Sequence, residues 1–241
     1  MPKLLFDMDG TLTEPRQFIG DNVLGELIRL LDAGYEIGIV TGSGLDYIRQ
    51  QIPLVHEKLV LLPYNGTKMY VWVDKELVEF YSYHMDDYAA AFITDMIQRE
   101  ILPEIRKELG SLAEPEGEVV QLRDSMLNFC PIGRASKQER RDAFYKLDQS
   151  NNFRQKWLKI LRAKIEPFGF TVVLGGVTSF DIFPNGWDKT FVLGASFGKG
   201  SIVYFGNAFF KDGNDECMKG KVVCFEVKNP EDTYRIIQSI I

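Results

Sequence analysis

Two aspartates follow the first apolar segment of the chain. Residues 3–6 have the pattern of a buried strand, and the chain continues as Asp7-Met8-Asp9-Gly10-Thr11-Leu12-Thr13. A carboxylate at a strand end can attack phosphorus, so we expect Asp7 to form an aspartyl-phosphate. A turn at Gly10 would let Asp9 face the same cavity, where it can protonate the leaving oxygen and deprotonate the attacking one. Two such acids also form half of a Mg²⁺ site, because this cation prefers oxygen ligands.

The elements around these acids predict a parallel sheet with helices on both faces. Helical spacing over 21–31 and 45–51 alternates with apolar strands over 36–40 and 59–62. Ligands bind at the carboxyl ends of such strands, where Asp7 and Thr41 both lie. After Asp188 the pattern returns, and it predicts these elements: a helix over 189–196, strands over 201–205 and 222–227, and a helix over 231–241.

The middle third has a different pattern, typical of an α+β unit. It predicts a long helix over 86–109, a strand over 119–131 and helical sequence over 137–168 with a break near Asn151. Two strands, over 170–174 and 179–183, would then form a hairpin across Gly175-Gly176. We therefore predict a discontinuous α/β core domain, residues 1–83 and 188–241, and an inserted cap domain, residues 84–187.

The composition of the chain disfavours two classes of binding partner, nucleic acids and membranes. The chain of 241 residues has 28 Lys and Arg against 34 Asp and Glu, a net charge of −6, which disfavours nucleic acid as a partner. Its apolar runs fall short of the roughly 18–20 residues of a membrane span, so we expect no membrane partner. The three cysteines show no metal-ligand spacing and favour a reducing compartment, from which we predict a cytoplasmic location.

The segment from Asp7 to Thr13 resembles the signature of the haloacid-dehalogenase superfamily of phosphotransferases. The resemblance implies a Thr or Ser that binds the phosphoryl group, here Thr41 or Ser43, and a Lys that neutralises it, here Lys189. It also implies a Mg²⁺ site, and the implied ligands are Asp7, the backbone oxygen of Asp9, Asn207 and Asp215, with Asp212 as a further acid. Where the family usually has Asp, this chain has Asn207. The loss of one negative charge predicts weaker metal binding and slower turnover.

Longer strings carry a narrower resemblance, which covers nearly the whole chain. They are Phe6 to Arg16, Pro63-Tyr64-Asn65-Gly66, Met126 to Arg134, Ser179 to Lys189, Gly213-Asn214-Asp215-Glu216 and Pro230-Glu231-Asp232-Thr233. These strings resemble eukaryotic-type phosphomannomutases, which implies a Rossmann-like core with a cap of the C2b type. In that family the cap holds the non-reacting phosphate and the sugar. The implied substrate-binding residues are Arg16, Arg123, Asn128, Arg134, Arg141, Ser179 and Asp181.

The resemblance further implies a Mg²⁺-dependent mutase that interconverts mannose 6-phosphate and mannose 1-phosphate. The reaction would pass through the aspartyl-phosphate and a hexose bisphosphate, need a hexose 1,6-bisphosphate activator and feed GDP-mannose synthesis. It also implies a homodimer formed through the cap. Two alternatives stay open: a sugar-phosphate phosphatase of the same superfamily, and a sugar-phosphate-binding homologue whose catalysis is weak because of Asn207.

Overall fold

The computed structural model describes residues 1–240 and divides the chain into two compact units. The first, which we call the core, comprises Met1–Tyr83 and Trp187–Ile241, and the second, the insert, comprises His84–Gly186. Trp187, which the sequence pattern placed in the insert, thus belongs to the core. Its ring meets those of Tyr83 and Phe191 edge-on, with centroids 6.0 and 6.1 Å apart.

The first part of the core begins with the predicted alternation of strands and helices. Its elements are β1 (Lys3–Phe6), α1 (Asp21–Asp32), β2 (Ile37–Val40), α2 (Leu45–Gln51), β3 (Leu59–Leu62), β4 (Lys68–Val73) and β5 (Glu76–Ser82). The hairpin of β4 and β5 was not predicted. Its two turn residues, Asp74 and Lys75, have φ angles of 50° and 66°, which a tight hairpin requires but which Gly usually supplies.

The insert contains both helices and strands. They are α3 (Asp87–Met96), a π-helical segment (Ile97–Ile101), α4 (Leu102–Arg106), β6 (Val120–Arg123), β7 (Met126–Phe129), α5 (Gln138–Asn151), α6 (Phe153–Ile165), β8 (Phe170–Gly175) and β9 (Ser179–Pro184). The predicted strand over 119–131 is instead a hairpin that turns at Asp124, whose φ is 50°. The predicted helical break is confirmed at Asn152, a left-handed residue between α5 and α6.

The chain then returns to the core. The remaining elements are α7 (Phe191–Gly194), β10 (Ile202–Gly206), β11 (Val223–Glu226) and α8 (Pro230–Ile237). Helix α7 is shorter than the predicted 189–196, and Lys189 precedes it. Helix α8 begins at a side-chain cap, because Asn229 accepts a hydrogen bond from the backbone N–H of Asp232. Residue 241, in the predicted final helix, lies outside the described residues.

Seven strands of the described core form one sheet in the order β11-β10-β1-β2-β3-β4-β5, parallel from β11 to β3 and antiparallel at β4 and β5. Strands β2 and β3 are buried at every position, as expected for parallel strands covered on both faces. Three neighbouring strands end at sequence-predicted residues: Asp7 follows β1, Thr41 follows β2 and Asn207 follows β10.

Four strands of the described insert form an antiparallel sheet in the order β6-β7-β9-β8. Phe129 and Phe180 lie in the same apolar cluster as Phe144 and Trp157 from helices α5 and α6. Because side chains alternate along strands, the residues between these apolar ones project from the opposite face. Asn128 of β7 is one of them. No helix within residues 1–240 combines the length and the apolar character needed to cross a membrane.

Candidate active site

A buried ammonium group joins two carboxylates at the carboxyl end of the core sheet. The Nζ atom of Lys189 lies 2.5 Å from Oδ1 of Asp7 and 2.6 Å from Oδ1 of Asp215. The side chains of Lys189 and Asp215 are 1% and 0% exposed, respectively. Burying three charged groups is costly unless they pair, so each depends on the others. The structure therefore brings together the predicted nucleophile and the predicted lysine.

The two carboxylates differ in their hydrogen bonds. Asp215 accepts four: from Lys189 and the Tyr204 hydroxyl at Oδ1, and from the backbone N–H groups of Asn207 and Ala208 at Oδ2, at 3.0 and 2.8 Å. Asp7 accepts one from Lys189 and one of 3.1 Å from the Thr11 hydroxyl.

This difference separates the pKa values of the two acids. Burial raises the pKa of Asp7 to about 7, although Lys189 opposes the shift. At Asp215 the attraction of Lys189 and the hydrogen bonds overcome burial, and its pKa is lowered. Asp215 therefore holds its negative charge firmly, whereas Asp7 needs further positive charge to be a full carboxylate at neutral pH.

Asp9 lies on the same loop, and two groups hold its carboxylate. The hydroxyl of Tyr47 donates a hydrogen bond of 2.9 Å to Oδ1 of Asp9, and the backbone N–H of Arg16 donates one of 3.2 Å to that hydroxyl. Burial raises the pKa of Asp9, and these hydrogen bonds limit the rise. The raised pKa favours the protonated form of Asp9 more than in an exposed aspartate, which suits the acid half of an acid and base role.

A tight turn shapes the loop that carries both aspartates. The backbone N–H groups of Thr11, Leu12 and Thr13 all point to the carbonyl oxygen of Met8, at 2.9–3.2 Å. Gly10 has a φ of +83°, and a Cβ atom there would lie 2.1 Å from Nδ2 of Asn207. The turn and the close approach of Asn207 both require glycine at this position.

Thr41 and Ser43 lie in one turn after β2, beside the end of β1. The Thr41 hydroxyl accepts a hydrogen bond of 3.2 Å from the backbone N–H of Ser43, and the carbonyl oxygen of Ser43 accepts one from the backbone N–H of Tyr64. Thr41 is buried and Ser43 is half-buried. Either hydroxyl stays a predicted phosphoryl contact.

The oxygen atoms that could hold a cation belong to a mixed set of side-chain and backbone groups. Within the described residues, no three His, Cys, Asp or Glu side chains are grouped so that they could hold a metal ion. A cation would therefore depend on the predicted mixed set, in which the Asp7 carboxylate, the Asp9 carbonyl and the Asn207 amide supply hard oxygens suited to Mg²⁺. Asn207 lies against Gly10, on the loop that carries Asp7 and Asp9.

Asp215 fits the metal set less well. Its carboxylate already accepts four hydrogen bonds, which is its full acceptor capacity. We therefore assign it the orientation of Lys189 instead of direct ligation. Asp212 has a φ of 68°, and its backbone N–H donates to the carboxylate of Glu216. That contact places Asp212 in a turn of the same loop.

A second polar network lies on the outer face of the insert sheet. Asn128 and Asp181 are paired across β7 and β9, and Nδ2 of Asn128 donates a hydrogen bond of 2.6 Å to Oδ1 of Asp181. The same amide reaches the Ser179 hydroxyl at 3.1 Å, and its oxygen accepts a hydrogen bond of 2.8 Å from Arg134. Four predicted substrate-binding residues thus form one cluster.

Two further arginines extend this cluster. Arg141 is only 5% exposed and is held by the carbonyl oxygens of Ser136 and Arg134 and by the hydroxyl of Thr178. Arg123, at the end of β6, donates to Gln121. The pKa of Arg134 is lowered to about 10, mainly by burial and further by the nearby charges of Arg123 and Arg141. Three guanidinium groups thus lie near one another in this cluster, an arrangement that suits an anion.

The sequence patterns missed two site residues, Tyr47 and Tyr204. Tyr204 lies in the apolar strand β10, where an aromatic side chain is expected to be core. Its hydroxyl needs a partner when buried, which was the only available signal for a contact with Asp215. Tyr47 lies on helix α2, away from the strand ends where site residues were sought. Arg16, which was predicted to bind substrate, is exposed, and the pair of Asp9 and Tyr47 contacts its backbone.

Comparisons with known proteins agree with these features. A family model described as eukaryotic phosphomannomutase matches residues 24–241. A phosphomannomutase from Dendrobium officinale is 35% identical over 241 residues, which cover 97% of this chain and 92% of that protein.

Two solved structures share the fold. The N-terminally truncated, IMP-bound IMP-nucleotidase of Plasmodium falciparum has a TM-score of 0.72 at 14% identity, covering 100% of this chain and 68% of that one. A haloacid dehalogenase-like hydrolase from Bacteroides thetaiotaomicron has a TM-score of 0.60 at 14% identity, covering 100% of both chains. The predicted fold class, a haloacid-dehalogenase-type α/β core with an inserted α+β unit, is confirmed.

Proposed function

Because the chain belongs to the eukaryotic phosphomannomutase family, we propose that it interconverts mannose 6-phosphate and mannose 1-phosphate. The observation that carries the proposal is the buried contact between Lys189 and Asp7, with Asp9 held on the same loop. This arrangement supplies a nucleophile, a charge that neutralises it, and an acid and base two residues away.

In the proposed cycle an oxygen of Asp7 carries the phosphoryl group and passes it to a hexose monophosphate. Asp9 takes the proton of the attacking hydroxyl, and it returns a proton to the leaving oxygen in the second half of the cycle. A hexose 1,6-bisphosphate forms between the halves, and a trace of it activates the resting enzyme. The product would feed GDP-mannose synthesis.

The insert cluster supports the binding of a substrate with a second phosphate. Arg141 is a buried and Arg134 a half-buried guanidinium group beside Arg123, and such groups bind phosphate through paired hydrogen bonds. We propose that this cluster binds the phosphate that does not react. Ser179, Asp181 and Asn128, on the same face, would then bind sugar hydroxyls, and Arg16 would contribute from the core.

We propose Mg²⁺ as the cofactor, held by Asp7, the backbone oxygen of Asp9 and Asn207. Bound there, the ion would supply the positive charge that keeps Asp7 ionised and would stabilise the charge on the transferred phosphoryl group. The raised pKa of Asp7 supports this proposal, because the residues present leave that carboxylate short of positive charge. A cytoplasmic location and a homodimer formed through the insert also remain proposals. Size-exclusion chromatography with light scattering tests the dimer.

The experiment is a ³¹P NMR time course with mannose 1-phosphate, Mg²⁺ and a trace of glucose 1,6-bisphosphate. We expect a mannose 6-phosphate signal whose growth depends on the bisphosphate. Release of inorganic phosphate alone would instead identify a sugar-phosphate phosphatase.

One observation favours a second candidate, a sugar-phosphate-binding protein with weak catalysis. Asn207 stands where the family usually has an acid, so the proposed metal site lacks one negative charge. This candidate predicts no change in the NMR spectrum, together with measurable binding of mannose 1-phosphate by calorimetry. It also predicts that Asn207→Asp restores turnover.

A further inference from the structure

Helix α2 presents a phenol to the carboxylate of Asp9. The Tyr47 hydroxyl has one proton, and the 2.9 Å contact with Oδ1 of Asp9 uses it. Its oxygen in turn accepts the backbone N–H of Arg16 at 3.2 Å. The phenol therefore joins the two ends of the loop from Asp9 to Arg16.

The helix that carries Tyr47 is itself fastened to that loop. Gln51, one turn further along α2, accepts a hydrogen bond of 3.1 Å from the Thr13 hydroxyl, and its carbonyl oxygen accepts one of 2.9 Å from the backbone N–H of Ile19. Gln51 and Thr13 are buried, as is Ile48 on the same helix. These contacts hold α2 in one position and orientation relative to the loop, so the Tyr47 hydroxyl is held in place as well.

An acid and base must hold its carboxyl plane in one orientation through both halves of a reaction. A carboxylate on a short side chain can rotate, and one strong hydrogen bond to a fixed donor removes that freedom. We propose that Tyr47 is a positioning residue for Asp9, which holds the carboxyl group in the orientation that serves proton transfer to and from the sugar oxygen. This inference rests on the proposed function and assigns a further residue to the same site.

In the step that Asp9 serves, an oxygen of Asp7 forms a bond to phosphorus, and the bond between phosphorus and the sugar oxygen breaks. The proton of the Asp9 carboxyl group moves to the sugar oxygen, so the products are an aspartyl-phosphate, a sugar hydroxyl and an Asp9 carboxylate. That carboxylate is the form that accepts the Tyr47 hydrogen bond best. A sugar alkoxide is a poor leaving group and needs the proton, whereas p-nitrophenolate leaves as a stabilised anion and does not.

The test compares two phosphoryl donors in single-turnover phosphorylation of Asp7. Tyr47→Phe keeps the ring and removes the hydroxyl. The donors are glucose 1,6-bisphosphate, which has an alkoxide leaving group, and p-nitrophenyl phosphate. The matched control is Tyr70→Phe, which removes another phenol–carboxylate hydrogen bond of the core, the 2.6 Å contact with Glu79 on the β4–β5 hairpin.

We expect Tyr47→Phe to slow phosphorylation by glucose 1,6-bisphosphate about 10–100-fold, part of what a general acid contributes, and to change the rate with p-nitrophenyl phosphate less than about twofold. Tyr70→Phe should leave both rates unchanged. Equal slowing with both donors would assign Tyr47 a structural role only, and no slowing with either would also overturn the inference.

The same experiment separates this inference from the proposed function. A parent chain that both donors phosphorylate, but that makes no mannose 6-phosphate, is a phosphatase, and the donor comparison still supports or overturns the role of Tyr47. A parent chain that glucose 1,6-bisphosphate does not phosphorylate overturns both.

Discussion

The core site and the insert cluster are both polar networks on a sheet, but they differ in the groups that satisfy their charged side chains. In the core, Lys189 lies between Asp7 and Asp215, and Asp215 is satisfied by four donors. In the insert, Arg134 and Arg141 donate to the side-chain oxygens of Asn128 and Thr178, and the pKa of Arg134 is lowered to about 10 by burial and by the charges of Arg123 and Arg141. Pairs of opposite charges organise the first network, whereas neighbouring positive charges mark the second.

The two sheets make this difference possible. At the end of a parallel sheet, backbone N–H groups after the strands are free to meet a carboxylate, as those of Asn207 and Ala208 meet Asp215. On the face of an antiparallel sheet the backbone groups are paired between strands, so side chains must satisfy one another. We propose that the first arrangement serves phosphoryl chemistry and that the second serves recognition of a sugar phosphate.

The largest expected effect is the loss of the nucleophile in the core. Asp7→Asn keeps the size of the side chain but removes its charge, so we expect kcat to fall at least about 10⁴-fold and the aspartyl-phosphate to disappear. Mutase activity and acid-quenched phosphoenzyme measure the two effects. Full activity in Asp7→Asn would contradict the proposed mechanism.

The two ion pairs of the core site both depend on Lys189. Lys189→Met leaves two buried carboxylates without a cation, so we expect the free energy of unfolding to fall by about 3–5 kcal/mol, measured in urea. Burial already raises the pKa of Asp7 to about 7, which means that this acid is protonated below that pH and charged above it. The loss should therefore be greater at pH 8 than at pH 5.

A partly exposed pair supplies the control for Lys189. Lys3→Met removes the ion pair with Glu36, in which the Lys3 side chain is 19% exposed and the Glu36 side chain 36% exposed. The free energy of unfolding should fall by less than about 1 kcal/mol at either pH. A pH-independent loss in Lys189→Met would show that packing, not charge, makes Lys189 necessary.

The insert cluster should respond in the opposite way if its neighbouring positive charges serve binding, as we propose. Arg134→Met removes a half-buried cation that Arg123 and Arg141 repel, so we expect little loss of stability, within about 1 kcal/mol. The KM for mannose 1-phosphate should rise about 10–100-fold, since a guanidinium–phosphate contact is lost. Arg99→Met, on the exposed surface of the insert, is the control and should leave KM unchanged. An unchanged KM in Arg134→Met would remove the cluster from substrate binding.

The smallest effect concerns Asn207. Asn207→Asp adds one negative charge to the proposed Mg²⁺ ligands, so we expect roughly tenfold tighter Mg²⁺ binding by titration calorimetry. Asn214→Asp adds the same charge elsewhere in the same loop and tests whether charge alone suffices. Equal tightening in the two variants would contradict direct ligation by Asn207.

The sequence predicted most of the residues that occupy strand ends, and it failed where turns lack glycine. The positions of Asp7, Thr41 and Asn207 at strand ends were predictable because each follows a short apolar run typical of a buried strand, whereas the roles of Thr41 and Asn207 came from the family resemblance. The β4–β5 hairpin was missed because Asp74 and Lys75 adopt positive φ without glycine.

The partners of the predicted site residues were not predictable. That Lys189 contacts both Asp7 and Asp215 depends on the return of the chain after the insert, which no local pattern encodes. The hydrogen bonds of the Tyr47 and Tyr204 hydroxyls could not be predicted from the sequence either, since an aromatic residue on a helix or strand is expected to pack in the core. The substrate-binding residues of the insert were predicted from the family resemblance, and residue spacing alone would not have identified them.

The aromatic contact between Tyr83 and Trp187 has a consequence for how such proteins diversify. These are the core residues at which the chain leaves for the insert and comes back, and their rings are 6.0 Å apart. Both belong to a cluster with Phe191, so the core holds the two ends of the interruption together by itself. With the ends held together, a longer segment between them costs little additional chain entropy, because the closure cost grows only with the logarithm of the segment's length. The core therefore tolerates an interruption of about 100 residues at this point of its chain.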